Sequence, residues 1–451
     1  MEFSGKKCLV LGAGISGISA ANVLQELGVA VTLSDAKPLD SLNPSLASQI
    51  HQGIRLSFGK QDEALLSGQD YVIVSPGVSI YSPLVETAQR NGKLVMSEIE
   101  VAYQLCKAPL LAITGTNGKT TTTTLLGEMV KRSGRPVVVG GNIGLALSQE
   151  VRGLGPDGLA VAEISSFQLE GVINFKPHIA AILNLTPDHI DRHRNIATYQ
   201  AMKERIFARQ QGSDITILNY DDPVVREMKS RVPGQVVYFS RKKQMEEGIF
   251  LADGMIRLVW QGAGYDICLI SDIKLKGGHN LENAMAAAAA AFLAGVSIAD
   301  IAATLKAFAG VEHRIEPVAT VQGVTYYNDS KATNPESTIK ALEAFSGNGI
   351  LLAGGRDKNT DLTEFMTLAK EKLDVLILFG EAKERFQQAA QKLGVKRIEI
   401  TQTMEEAVRL AHSIARPPQV VLLSPACASY DMFNNYEERG RLFKELVHQL
   451  R

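Results

Sequence analysis

The chain has 451 residues, 45% hydrophobic and 21% charged, a balance that gives it material for more than one folded core. With a net charge of −1 nothing suggests a broad nucleic-acid or membrane surface, and an acidic metabolite would need only a local basic pocket. The four cysteines (Cys8, Cys106, Cys268 and Cys427) are scattered and form no C-x-x-C pair. They fit a reducing compartment, and no signal peptide is visible, so a cytoplasmic protein without membrane insertion is expected.

The first block, expected to span 1–107, alternates short apolar strands at 8–11, 30–34 and 71–74 with a helix at 16–27. That rhythm predicts a doubly wound, Rossmann-like parallel sheet. Gly12-Ala13-Gly14-Ile15-Ser16-Gly17 opens the helix, and Asp35 ends the second strand. The glycines allow a pyrophosphate to approach the backbone, whether it comes from NAD or from a UDP-sugar, and the carboxylate suits ribose hydroxyls. Close helix–strand packing alone is the structural alternative.

A second block, expected at 108–311, opens with the apolar run LLAIT and then Gly115-Thr116-Asn117-Gly118-Lys119-Thr120. The common phosphate loop, G-x-x-x-x-G-K-[ST], would place a glycine where Ile113 stands, so this loop is a shorter one. The N–H groups of 116–119 are expected to wrap a polyphosphate at the helix start, with Lys119 on the terminal phosphates and the Thr120 hydroxyl on Mg²⁺. A turn capped by threonines is the plainer alternative, since Thr120 to Thr124 are poor helix formers. Further strands are expected at 137–139, 159–162 and 179–184, a strand-rich stretch after Ile215, and an alanine-rich buried helix at 281–293. The uncharged stretch at 283–299 is too weakly apolar for a membrane span.

The third block, expected at 312–451, returns to α/β alternation. Strands are expected at 324–327, 350–353, 375–379 and 420–423, with amphipathic helices such as 381–393. Read from its residues alone, Glu163 is an acid at a strand end facing the loop, His189 a histidine in a polar segment, and Lys203 a solvated lysine on a helix.

Several motifs narrow the reading. TGTNGKT is similar to the ATP loop of the Mur ligases and folylpolyglutamate synthetases. GGNIG (140–144), EISSFQLE (163–170), NLTPDHIDRH (184–193) and YQAMKERIF (199–207) extend the likeness. So do GGHNLENAMAA, EHR (312–314), NDSKATNPEST (328–338) and SPACASYDMFNNYEERG (424–440). Together they resemble the D-glutamate-adding Mur ligases over all three blocks. Folylpolyglutamate synthetases lack the first block, and the L-alanine-adding branch fits NDSKATN and SSFQLE less well.

The resemblance implies three domains: a Rossmann-like UDP-substrate domain, a central P-loop-type ATPase domain with a mixed sheet, and a Rossmann-like amino-acid-binding domain. It implies ATP-driven ligation of D-glutamate to UDP-N-acetylmuramoyl-L-alanine through an acyl phosphate and a tetrahedral intermediate. Two Mg²⁺ ions and a monomer are expected. Lys119, Glu163, His189 and Lys203 would be catalytic. Thr120, Glu163, His189 and a carbamylated Lys203 would hold metal. ATP would meet Gly115, Thr116, Asn117, Gly118, Lys119, Thr120, Thr121, Asn280, Asn283, Arg314, Asp329 and Lys331. The UDP-substrate would meet Ile15, Ser16, Asp35, Ala36, Lys37, Gly77, Asn142, Ser165, Gln168 and His189. D-glutamate would meet Thr333, Lys358, Ser429, Tyr430 and Tyr436. A nicotinamide oxidoreductase would account only for the first glycine loop, and an ATP-binding module would leave Glu163, His189 and Lys203 unexplained.

Overall fold

A computed structural model describes residues 3–42, 44–275, 277–357 and 360–450. Lys358 lies outside these described residues. The chain divides into two compact units, Met1–Phe308 and Ala309–Arg451.

The first unit contains two sheets. In the first sheet, β1 (Lys7–Leu11), β2 (Ala30–Asp35), β3 (Arg55–Phe58), β4 (Tyr71–Val74) and β5 (Leu94–Ser97) run parallel in the order β3-β2-β1-β4-β5. The order reverses between β1 and β4, so their carboxyl ends open a crevice at the first glycine loop. β3 and β5 are the edge strands; Arg55 and Ser57 interrupt the apolar residues of β3, and β5 is a short run whose first residue, Leu94, is exposed. The helix expected at 16–27 spans Ile15–Glu26.

The second sheet is built from β6 (Leu110–Thr114), β7 (Val137–Gly141), β8 (Leu159–Glu163), β9 (Ile179–Ile182), β10 (Ile215–Asn219) and β11 (Gln235–Ser240), followed by β12 (Gly248–Ala252), β13 (Met255–Trp260) and β14 (Ala263–Leu269). Its order is β14-β13-β12-β11-β10-β9-β6-β8-β7, parallel from β7 to β12 and antiparallel from β12 to β14. The central strands are buried on both faces, which is why they read as unbroken apolar runs. β6 lies between β8 and β9, so the segments leaving those two strands flank the second glycine loop. The alanine-rich helix Gly278–Leu293 packs on the helix Lys119–Arg132 that follows the loop. Its small side chains from Ala286 to Ala291 are fully buried, which permits that close approach.

Within this unit the helix Glu98–Leu105 is tied to the central part. Glu100 is fully buried, and its carboxylate accepts the N–H groups of Ile173, Asn174 and Phe175 at 2.9–3.1 Å. Glu98 accepts Ser148 N–H at 2.6 Å, and burial raises its carboxyl above the usual range.

The second unit holds β15 (Glu316–Val321), β16 (Val324–Asn328), β17 (Gly349–Gly354), β18 (Leu373–Phe379), β19 (Ile398–Ile400) and β20 (Val420–Leu423). The order is β15-β16-β20-β17-β18-β19, with β15 antiparallel to its neighbour and the rest parallel. Asn328 pairs with Leu423, so the segments leaving β16 and β20 start side by side. Among the described residues, no helix is long and apolar enough to cross a membrane.

Candidate active site

The phosphate loop leaves β6 and enters the helix Lys119–Arg132 through Gly118, whose φ of 84° lies in the left-handed region. A Cβ at Gly118 would stand 2.1 Å from Asn283 Oδ1, so glycine is needed there for backbone and for space. Asn283 itself donates to Asn280 Oδ1 at 3.3 Å, which places both asparagines of the alanine-rich helix beside the loop. The loop's N–H groups are not all directed as expected. Those of Thr116 and Asn117 donate to the carbonyl and the side chain of Asn184, at 3.1 and 2.8 Å. Asn184 Nδ2 returns a bond to Asn117 O at 3.1 Å. The Thr116 hydroxyl is held by Thr186 and lies 3.2 Å from the Tyr199 hydroxyl. Thr116 therefore shapes the loop. Thr120 and Thr121 are buried in the first turn of the helix.

Lys119 curls back on its own loop, donating to Gly115 O at 3.0 Å and Thr116 O at 2.8 Å. Lys203 donates to the same Gly115 carbonyl at 2.8 Å. Lys203 is 1% exposed, which overturns the solvated-lysine alternative. Burial first, then the Lys119 ammonium, hold its amine well below the usual lysine range, with Asp188 opposing. Its Nζ also sits 4.6 Å from the centre of the Tyr199 ring.

Glu163 ends β8, paired in register with Ile113 just before the loop. It is buried; one carboxylate oxygen accepts Asn142 Nδ2 at 2.8 Å, and the other has no hydrogen-bond partner among the described residues. Asn142 N–H also donates to Glu163 O, so GGNIG is clasped to the end of β8. Ser165 and Gln168 form a reciprocal capping box on the turn Ser166–Leu169. His189 has a left-handed φ of 53°, packs on Phe167 with ring centres 4.7 Å apart, and lies 3.5 Å from the Asp188 carboxylate.

At the first glycine loop, a Cβ on Gly17 would meet Gly12 O at 1.9 Å, so the third glycine is required for helix–strand packing. Asp35 accepts Ala13 N–H at 2.8 Å and Lys37 N–H at 2.9 Å, binding the glycine loop to the end of β2. Ile15 is exposed and Ser16 half-buried at the helix start, while Ala36 and Lys37 after β2 and Gly77 after β4 are exposed on either side of β1.

In the second unit, Asp329 follows β16 and is buried, accepting Ser424 Oγ at 2.6 Å and Ile315 N–H at 3.2 Å. Burial pushes its carboxyl up to about 7, against the pull of Ser424 and Arg314. Lys331 Nζ stands 5.5 Å over the Tyr436 ring, and Tyr436 opens the helix Tyr436–His448. Thr333 is half-buried, Ser429 is buried and Tyr430 is 66% exposed. The buried Arg439 joins two of these segments, donating to Ser330 Oγ, Ser330 O and Cys427 O.

The family models that match cover most of the chain. They are the Mur ligase MurD-like N-terminal domain over residues 6–97, the Mur ligase middle domain over 113–291, and the Mur ligase glutamate ligase domain over 313–427. The chain belongs to the Mur ligase family. Among curated Mur ligases, the UDP-N-acetylmuramoylalanine–D-glutamate ligase of Thermoanaerobacter sp. (strain X514) is 47% identical, covering 100% of both chains. The protein of the same name from Pelotomaculum thermopropionicum is 45% identical, over 100% of this chain and 99% of its own. Among solved structures, the UDP-N-acetylmuramate–alanine ligase of Thermotoga maritima superposes with a TM-score of 0.62 at 19% identity, covering 98% of this chain and 99% of its own. A pseudomurein peptide ligase from Methanothermus fervidus gives 0.60 at 19%, covering 99% and 100%. Both show the same fold.

Mur ligases use ATP and Mg²⁺. The residues here fit that ion: a buried carboxylate oxygen with no protein partner stands at the strand end beside a phosphate loop, with the Thr120 hydroxyl in the first helical turn. Reading the sequence missed the work of Asn184 and Tyr199, although both lie in motifs it singled out. A polar residue just past a buried strand adjoining β6 was the available signal for Asn184.

Proposed function

We propose that this Mur ligase joins D-glutamate to UDP-N-acetylmuramoyl-L-alanine with cleavage of ATP to ADP and phosphate, in peptidoglycan precursor synthesis. Full-length relatives of that name, 47% and 45% identical, support the substrate pair. The observation that carries the chemistry is the gathering of Lys119, Lys203 and the unpartnered oxygen of Glu163 around one shortened phosphate loop.

The substrate carboxylate attacks the γ-phosphorus of ATP and ADP leaves. The amine of D-glutamate attacks the resulting acyl phosphate, and the tetrahedral intermediate expels phosphate. Lys119, released from its own loop, binds the transferring phosphoryl group. Thr120 and Glu163 hold one Mg²⁺, and His189 with Lys203 hold a second. Bound Mg²⁺ supplies charge neutralisation at the phosphoryl oxygens. Lys203 serves as a carbamate: its neutral amine adds to the carbon of CO₂ and loses a proton, turning a group that repels cations into one that holds them.

Asn280, Asn283, Arg314, Asp329 and Lys331 contact ATP. The UDP end rests on Ile15, Ser16, Asp35, Ala36, Lys37 and Gly77, and the sugar–peptide part on Asn142, Ser165, Gln168 and His189. Thr333, Lys358, Ser429, Tyr430 and Tyr436 receive D-glutamate. Domain limits fall after Lys107 and Val311, and the protein acts as a cytoplasmic monomer.

Phosphate release is measured with ATP, Mg²⁺, bicarbonate and UDP-N-acetylmuramoyl-L-alanine, adding D-glutamate, L-glutamate, L-alanine or no amino acid. Release with D-glutamate alone, with the product confirmed by mass, is the expected result. Release with a different amino acid overturns the specificity, and no release with any of them overturns the reaction.

A further inference from the structure

Arg192 is assigned no contact with any substrate above, yet its guanidinium spans two parts of the first unit. Nη1 donates to Pro76 O at 2.7 Å and Nη2 to Val78 O at 2.9 Å, the two carbonyls that flank Gly77. On the other side, Nε donates to Glu170 at 3.0 Å, and Nη2 pairs with the second oxygen of the same carboxylate. The Glu170 side chain is fully buried, so that end of the fork is fixed. The guanidinium carbon also stands over Phe167, 4.1 Å from the ring centre, and the ring of Phe167 packs against His189. Arg192 and His189 share one short turn, in which Arg192 N–H donates to His189 O at 3.1 Å.

We propose that Arg192 is a positioning residue that couples the loop around Gly77 to His189. The two carbonyls already hold the guanidinium, so the position that the loop takes under the UDP end of the substrate is passed through Arg192 to the turn carrying His189. Only a planar fork holds two carbonyls and a carboxylate together while stacking on a ring, and a lysine ammonium does not. This role rests on the ligase reading given above.

The test measures KM for UDP-N-acetylmuramoyl-L-alanine, KM for ATP, kcat and the unfolding midpoint in wild type and two variants. Arg192→Met/Glu170→Gln removes the fork without leaving a bare buried carboxylate. Arg192→Lys keeps the charge beside Glu170, and serves if the double variant does not fold. In both variants KM for the UDP-substrate is expected to rise, by about tenfold in the double variant and less in Arg192→Lys, with a lower kcat and KM for ATP within about twofold. A purely structural role would move both KM values together or neither, and either result overturns the proposal. A wild type that does not turn over D-glutamate shows instead that the ligase reading has failed.

Discussion

Lys203 and Lys119 donate to the same carbonyl, that of Gly115, at 2.8 and 3.0 Å. Two ammonium groups on one oxygen repel each other, and burial adds to the cost of charging Lys203. In the proposed reaction Lys119 meets the phosphate, and burial favours for Lys203 the neutral amine that CO₂ requires.

That division gives a prediction for Lys203. Incubation with ¹³C-bicarbonate should yield a carbamate resonance in wild type that is missing from Lys203→Met, and the variant should lose at least about a hundredfold in kcat. In carbonate-free buffer the native chain binds fewer protons than the unfolded one between its depressed value and 10.5. Wild-type stability then rises with pH through that window, by at most about 1.4 kcal/mol per pH unit. Lys203→Met lacks this slope. Urea midpoints that run parallel with pH in the two proteins would contradict a neutral Lys203.

Glu163→Gln keeps the oxygen that accepts Asn142 but removes the charge at a buried carboxylate whose second oxygen has no partner among the described residues. Folding should be retained or improved, because an uncompensated buried charge is costly. Turnover should fall by about two to three orders of magnitude, with a raised Mg²⁺ requirement. Phosphate release measured across a Mg²⁺ titration checks both. An unchanged Mg²⁺ dependence would remove Glu163 from the metal site.

Much of this site was legible in the sequence because its pieces are local: a glycine loop between a buried strand and a helix, and an acid at the end of a strand. The parts that were not legible depend on distant partners. Asn184 clasps Thr116 and Asn117 from the far side of three crossovers, so a polar residue after an apolar strand is all that its own neighbourhood shows of that bond. Lys203 reads as a surface lysine until Tyr199 and Gly115 close over it. The edge strand β3 escaped notice because one-sided burial leaves Arg55 and Ser57 within it, and β5 because its apolar run Leu94–Met96 is only three residues long. The three sheets follow from the alternation of strands and helices. The joining of the first two in one compact unit rests on contacts such as Glu100 with Phe175, which no local pattern records.

Gly118→Ala tests the loop. Alanine at φ 84° costs about 1–2 kcal/mol in backbone energy alone, and its Cβ would also strike Asn283. KM for ATP should rise by at least about tenfold, because the loop and Asn283 must both give way. Gly134→Ala, also at positive φ but with nothing within 4 Å of its Cβ, supplies the control for backbone strain alone. Equal effects from the two substitutions would show that contact with Asn283 is irrelevant.

Asp329 offers a prediction with the opposite sign to Lys203. Its carboxyl is raised from 3.8 to about 7, chiefly by burial, so between those values the native chain binds more protons than the unfolded chain. Stability contributed by this group is present at low pH and lost as pH rises through the window, at roughly 1.4 kcal/mol per unit at most. Asp329→Asn abolishes the dependence, since Ser424 Oγ can rotate to accept from the new amide while Ile315 N–H keeps its acceptor. Hydrogen exchange of the β16 and β20 amides reads the effect locally. Protection in the variant should gain on wild type as pH is raised from about 5 to about 8, after correction for intrinsic exchange. Protection that changes identically with pH in both proteins would mean that Asp329 is already ionised at the lower pH.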